Sequence, residues 1–119
     1  MKQKEITING KQYPVVFTMD TLMYFEDILN KSYFDSDLRT IKDRMGIIYA
    51  AALSADEDTK LTVEEMKGQG DLDAVNQIIV AYNTVMELAS EFFKIPKVAA
   101  DAEAEEQPEA EEGDQTAKN

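Results

Sequence analysis

The sequence predicts an α+β fold in which one N-terminal β-hairpin packs on a small, mainly α-helical bundle. Three observations support this prediction. ITINGKQYPVVF (residues 6–17) has a hairpin pattern, apolar residues recur at helical spacing between residues 18 and 93, and no branched aliphatic residue follows Val98. We therefore expect a single domain over residues 1–96 and a disordered acidic tail over residues 97–119, because such a tail buries too little apolar surface to fold.

The hairpin is predicted from its turn. Asn9-Gly10 suits a two-residue type I′ turn, in which both central residues have positive φ. That turn pairs Ile6 with Tyr13 and leaves Pro14 opposite Glu5, where its missing N–H points away from the partner strand. One face of the hairpin then carries Ile6, Ile8, Tyr13, Val15 and Phe17. Because an isolated hairpin is marginally stable in water, this face is expected to pack on helices.

Four helices are predicted after the hairpin, mainly from their capping residues. Thr18 is the expected N-cap of the first helix, and Asp35 or Ser36 that of the second. Thr62-Val-Glu-Glu65 has a capping-box pattern that opens a short third helix ending at Gly68. Asp71 is expected to cap the longest helix, which ends before Pro96.

The longest helix carries two apolar stripes. One steps by three and four residues from Leu72 to Phe93, and the other contains Ile78, Val85 and Phe92. The first is assigned to the core; the second is either buried under the hairpin or contacts another subunit or a partner helix. The predicted core contains Ile6, Tyr13, Val15, Phe17, Leu22, Phe25, Ile41, Met45, Ile48, Leu72, Val75, Ile79, Tyr82 and Met86.

Tyr33 and Phe34 lie between the first two predicted helices and have two interpretations. Either the loop folds both rings back over a small core, or the rings are exposed anchors for a partner, since aromatic residues are enriched at binding hot spots. The candidate partner-binding or self-association residues are therefore Tyr33, Phe34, Ile78, Val85 and Phe92.

Composition excludes several functional classes. Cysteine and histidine are absent, which removes thiol nucleophiles, zinc–thiolate sites and the commonest general base. The formal net charge of −12 opposes binding to nucleic acid or to anionic membranes. A calcium loop starting at Asp56 fails because Leu61 stands where glycine is needed and Lys67 where glutamate is needed. We expect neither catalysis nor a cofactor, and the partner is expected to be a protein.

The order of elements resembles that of a known family. ITINGKQYPVVFT runs directly into the helical segment TMDTLMYFEDILNKS, and a second helix, an acidic loop with LTVEE, an amphipathic helix and an acidic tail follow. Over residues 4–95 this resembles the tail assembly chaperones of long, non-contractile-tailed bacteriophages and related prophages. No functional residue carries over, because the family has no motif that can be matched here position by position.

The resemblance implies a non-enzymatic role in virion assembly. Such chaperones bind the helical tape measure protein, keep it soluble and help tail tube subunits assemble around it. They act in the cytoplasm of the bacterial host and are not expected in the mature virion. A longer form made by ribosomal frameshifting contacts the tail tube protein in many phages, so the acidic tail would be a linker.

Other interpretations of the sequence stay open. The tail is alternatively a solubilising segment without a further role. The whole chain is alternatively an acidic nucleic-acid mimic that inhibits a host DNA-binding protein, or a minor structural tail protein. Self-association of the chain is compatible with each of these functions.

Overall fold

The computed structural model describes residues 2–94, and it confirms the α+β fold. An antiparallel hairpin packs on helices, with a short 3₁₀ turn at Tyr33–Asp35. Within the described residues the elements are β1 (Lys4–Ile8), β2 (Lys11–Val15), α1 (Met19–Leu29), α2 (Ile41–Ala55), α3 (Val63–Lys67) and α4 (Leu72–Phe92). The predicted domain end at residue 96 and the predicted disordered tail over residues 97–119 lie outside the described residues.

The hairpin has the predicted register. Ile6 pairs with Tyr13, and Glu5 pairs with Pro14. Asn9 and Gly10 both have positive φ, 54° and 78°, as a type I′ turn requires. The apolar face is buried as predicted, through Ile6, Ile8, Tyr13, Val15 and Phe17.

Polar contacts hold the hairpin to α3 and α4. The Asn9 backbone N–H donates to Gln77 Oε1 at 2.7 Å, and Asn9 Nδ2 donates to the Glu65 carbonyl at 2.8 Å. At the other end of β1, Lys4 Nζ lies 2.5 Å from Glu87 Oε1. The pKa of Glu87 is lowered, mainly by the hydrogen bond from Lys4. These contacts place the apolar face of the hairpin against the helices.

Three predicted helix starts are confirmed. Thr18 caps α1 in a capping box with Thr21, whose hydroxyl accepts from the Thr18 backbone N–H at 2.9 Å. The Thr62 hydroxyl accepts from the Glu65 N–H at the start of α3. The Asp71 carboxylate accepts from the Ala74 N–H at the start of α4.

The predicted start of α2 was wrong. Neither Asp35 nor Ser36 caps this helix; Thr40 does, accepting from the Asp43 N–H at 3.0 Å. The physical reason is Leu38, which has a φ of 56° and therefore cannot continue a right-handed helix. Ser36 instead accepts from the Leu38 N–H and donates to Asp43.

Helix α2 is the centre of the molecule. Its three consecutive alanines, Ala50–Ala52, are completely buried, and the Val16 N–H donates to the Ala51 carbonyl at 3.3 Å. Gly46 allows α1 to approach, since an added Cβ would lie 2.6 Å from Leu29 Cδ1. Small residues therefore bring α2 close to both β2 and α1.

The predicted core face of α4 was also wrong. Leu72, Val75 and Ile79 are exposed, as is Ile41 on α2. The buried face of α4 instead contains Ala74, Ile78, Ala81, Val85, Leu88 and Ala89. This face includes three alanines, whose small side chains let α2 and the hairpin approach closely. The stripe that contains Ile78 and Val85 is therefore the one that packs against them. The other predicted core residues are buried or partly buried: Ile6, Tyr13, Val15, Phe17, Leu22, Phe25, Met45, Ile48, Tyr82 and Met86.

Candidate partner-binding site

Five aromatic residues from three separate parts of the chain meet at one end of the domain. Phe17 follows β2, Tyr33 and Phe34 form the 3₁₀ turn between α1 and α2, and Phe92 and Phe93 end α4. We call these five residues the aromatic cluster. Its segments lie between 16 (Phe17 to Tyr33) and 76 (Phe17 to Phe93) positions apart in sequence, so tertiary packing brings them together.

The rings are in direct contact. Tyr33 and Phe93 stack with centroids 5.9 Å apart and an interplanar angle of 18°. Phe17 lies 5.3 Å from Phe92, and Phe34 meets Phe93 edge-on at 6.0 Å. Offset-stacked and edge-to-face pairs at these distances contribute about 0.5–1.5 kcal/mol each beyond their burial. The aromatic cluster is therefore a packed unit.

Part of this unit faces solvent. Phe34 is 70% exposed, Phe93 41% and Phe92 39%, whereas Phe17 is buried beneath them. An open groove of about 490 Å³ adjoins the cluster, and its apolar lining comes from Phe17, Leu88 and Phe92. Three exposed phenylalanines on a buried aromatic base form a surface suited to apolar contact with a partner.

A buried carboxylate holds the turn that carries Tyr33 and Phe34. Asp43, in the first turn of α2, accepts from Lys31 Nζ and from Ser36 Oγ, each at 2.7 Å. The hydrogen bond from Lys31 is the main reason that the pKa of Asp43 is lowered, and the bond from Ser36 adds to it. Since Lys31 and Ser36 flank the 3₁₀ turn on both sides, Asp43 fixes the turn on the N-terminus of α2, where a negative charge is favoured.

The second support of the aromatic cluster is apolar. Burial, together with the nearby Tyr82, raises the pKa of Tyr33 to about 12. The ring of Phe25, which is fully buried, lies 5.6 Å from the ring of Tyr33. Arg44 stacks over Tyr82 at 4.6 Å and donates from Nε to the Leu38 carbonyl.

The predicted site residues divide into two groups. Tyr33, Phe34 and Phe92 come together in the aromatic cluster. Ile78 and Val85 are 2% and 0% exposed, so the interpretation of these two residues as contacts to another protein was wrong. For Ile78 and Val85 the structure shows the other interpretation of this stripe, which is burial in the core.

Phe17 and Phe93 also belong to the aromatic cluster; the sequence interpretation placed Phe17 on the apolar face of the hairpin, which is buried as predicted, and Phe93 on the first stripe of α4. Phe93 is 41% exposed and contacts rings from both other segments. The adjacent pair Phe92-Phe93 at the end of a helix was the available signal, because two neighbouring helical residues point about 100° apart and present a wide aromatic surface where the helix ends.

Residues 2–94 contain no group of three or more acidic, histidine or cysteine side chains arranged to hold a metal ion. No helix within the same residues is long and apolar enough to cross a membrane. No protein-family model, curated protein or solved structure matches this chain.

Proposed function

We propose that this protein is a non-enzymatic phage tail assembly chaperone that binds helical segments of a tape measure protein. The aromatic cluster is the observation that supports the proposal best. It presents Phe34, Phe92 and Phe93 to solvent while buried neighbours and the Asp43 hydrogen bonds hold them in place. A preorganised apolar surface loses little side-chain entropy on binding.

The chemistry of the cluster fits an amphipathic helix. Such a helix docks by inserting apolar side chains, three and four residues apart, between apolar side chains of a groove. The aromatic cluster and the adjoining groove, with Phe17 and Leu88 in its lining, provide apolar contacts for these side chains. Exposed aromatic residues on such a surface are typical anchors of binding energy.

The acidic segment gives the chaperone its second partner. It follows the aromatic cluster in sequence: Phe93 ends the cluster, and the acidic side chains run from Asp101 to Asp114. In a longer, frameshifted form, this segment links the tape-binding domain to a domain that contacts the tail tube protein. The chaperone acts in the cytoplasm of the bacterial host and does not remain in the mature virion.

Co-expression tests this function. We expect the chain to keep a co-expressed tape measure protein from the same genome soluble and to co-purify with it. The double variant Phe34→Ser/Phe93→Ser should keep its circular dichroism spectrum, since Phe34 is 70% and Phe93 41% exposed and neither belongs to the buried core, but lose the complex. Met23→Ser is the matched control, because Met23 is 57% exposed on α1 and lies outside the aromatic cluster.

Two results would contradict the proposal. A tape measure protein that stays insoluble with the wild-type chain excludes the chaperone role. A complex that dissociates between low and high salt would instead indicate charge-based recognition, as expected of a nucleic-acid mimic, because apolar contacts are not screened by salt.

A further inference from the structure

A second apolar surface lies away from the aromatic cluster and shares no residue with it. Two adjoining hollows of about 210 and 440 Å³ have Ile41, Met45 and Lys67 in common. Val75 of α4 also lines the smaller hollow, and Ile28 of α1 also lines the larger one. We call this surface the α2 groove. Its residues Ile41, Val75 and Ile28 are 47%, 41% and 36% exposed, which leaves a continuous apolar strip without a cover among the described residues.

The charges at the α2 groove are unusual for so acidic a chain. Lys42 and Lys67 are the charged residues of the larger hollow, although the chain carries a net charge of −12. No carboxylate among residues 2–94 lies within 4.0 Å of Lys42 Nζ, and the closest one to Lys67 Nζ is Glu64, at 3.9 Å. The groove therefore favours an apolar side chain that is flanked by acidic residues.

The start of α4 has this character. Leu72 is 71% exposed and stands between Asp71 and Asp73. Asp71 also lines the smaller hollow of the α2 groove, so the acidic–apolar knob and the groove with its lysines adjoin on one surface. A surface that carries both halves of a complementary pair can bind its own copy about a two-fold axis.

We infer that a second copy of this chain docks on the α2 groove. Leu72 of each copy enters the groove of the other, and Asp73 of each copy faces Lys42 and Lys67 of the other. The two-fold arrangement doubles every contact, so each substitution in the interface acts twice. The inference is independent of the proposed function, because self-association needs neither the aromatic cluster nor a tape measure protein.

Charge reversal with mixing tests this interface. Sedimentation velocity of the full chain should show a dimer whose dissociation constant is below about 1 mM. Asp73→Lys, and separately Lys42→Glu/Lys67→Glu, should each weaken the dimer by roughly tenfold, since each places like charges across both halves of the interface. An equimolar mixture of the two variants should restore the dimer, because every cross-contact then joins opposite charges.

Leu72→Gln tests the apolar half of the contact and should abolish the dimer. The control is Val80→Gln: Val80 is 65% exposed on the same helix but lies about 80° around it from Leu72 and outside the groove. Circular dichroism verifies that each variant is folded. A wild-type chain that stays monomeric overturns the inference. So does a dimer that Leu72→Gln leaves intact, or two variants whose mixture does not associate.

Discussion

The hydroxyl of Tyr13 is buried and has no hydrogen-bond partner among the described residues. An unpaired buried hydroxyl costs about 1–3 kcal/mol of stability. We therefore expect Tyr13→Phe to leave the free energy of unfolding unchanged or to raise it by about 1 kcal/mol, measured by urea denaturation. A loss of more than about 1 kcal/mol would show that the hydroxyl is hydrogen-bonded in solution and would contradict this account of β2.

Asp43 is the residue on which the position of Tyr33 and Phe34 depends. Asp43→Asn removes the charge that holds Lys31 and is expected to cost about 1–2 kcal/mol at neutral pH, since Lys31 is itself partly exposed. The 3₁₀ turn should then loosen, and amide hydrogen exchange at residues 32–36 should become faster.

The contribution of Asp43 to stability depends on pH. Its pKa in the folded protein is lowered from the ordinary value of 3.8, so the ionised form is favoured by folding. This stabilisation is complete above the pKa of the unfolded chain and is lost as the pH falls through the lower, folded value. The difference in unfolding free energy between wild type and Asp43→Asn should therefore shrink below about pH 4. A difference that stays constant down to about pH 2 would contradict the ion pair.

At the scale of elements, adjacent isoleucines report which face of α4 is buried. Ile78 is 2% exposed and Ile79 is 38% exposed. Replacing each of them in turn with alanine therefore compares the contribution of the two faces to stability. Ile78→Ala should cost about 2–5 kcal/mol because it leaves a cavity, and Ile79→Ala less than about 1 kcal/mol. Equal losses in chemical denaturation would mean that α4 is rotated from its observed orientation.

The same helix shows what its sequence determines. One apolar stripe of α4 steps by three or four residues and the other by seven, and both spacings are helical, so periodicity predicts a helix without deciding which stripe is buried. That choice depends on Ala74, Ala81 and Ala89, which allow close packing only once α2 and the hairpin are in place. The hairpin differs, since Asn9-Gly10 and strict alternation determine its turn and register locally.

Irregular segments were harder to predict from the sequence. Ser36 and Thr40 are both good N-cap residues, and the left-handed Leu38 decides between them. Nothing in the local sequence requires a positive φ at Leu38. The burial of the Leu38 side chain and the hydrogen bond from Arg44 to the Leu38 carbonyl support that conformation. Tyr33, Phe34 and Phe92 were each predicted as site residues. Their contact was not predicted, because it depends on where the fold places the 3₁₀ turn and the end of α4.

At the scale of the whole molecule, the fold carries two separate apolar surfaces on one small core. The aromatic cluster is built from segment ends and is held by Asp43, whereas the α2 groove lies between helices and carries lysines. The proposed docking of a helical partner and the proposed docking of a second copy therefore use different residues. The predicted tail follows the aromatic cluster in sequence and has no apolar anchor beyond Val98, so tape binding should not depend on it.

Isothermal titration calorimetry with a helical segment of the proposed partner, a tape measure protein from the same genome, tests the central claim most directly. We compare the wild-type chain, a chain lacking residues 97–119, and Phe34→Ser/Phe93→Ser, each verified as folded by circular dichroism. Removing the tail should change the dissociation constant by less than about threefold, and the double substitution should raise it at least about tenfold. A tail deletion that abolishes binding, or a double variant that binds like wild type, would contradict the assignment of the aromatic cluster as the partner-binding site.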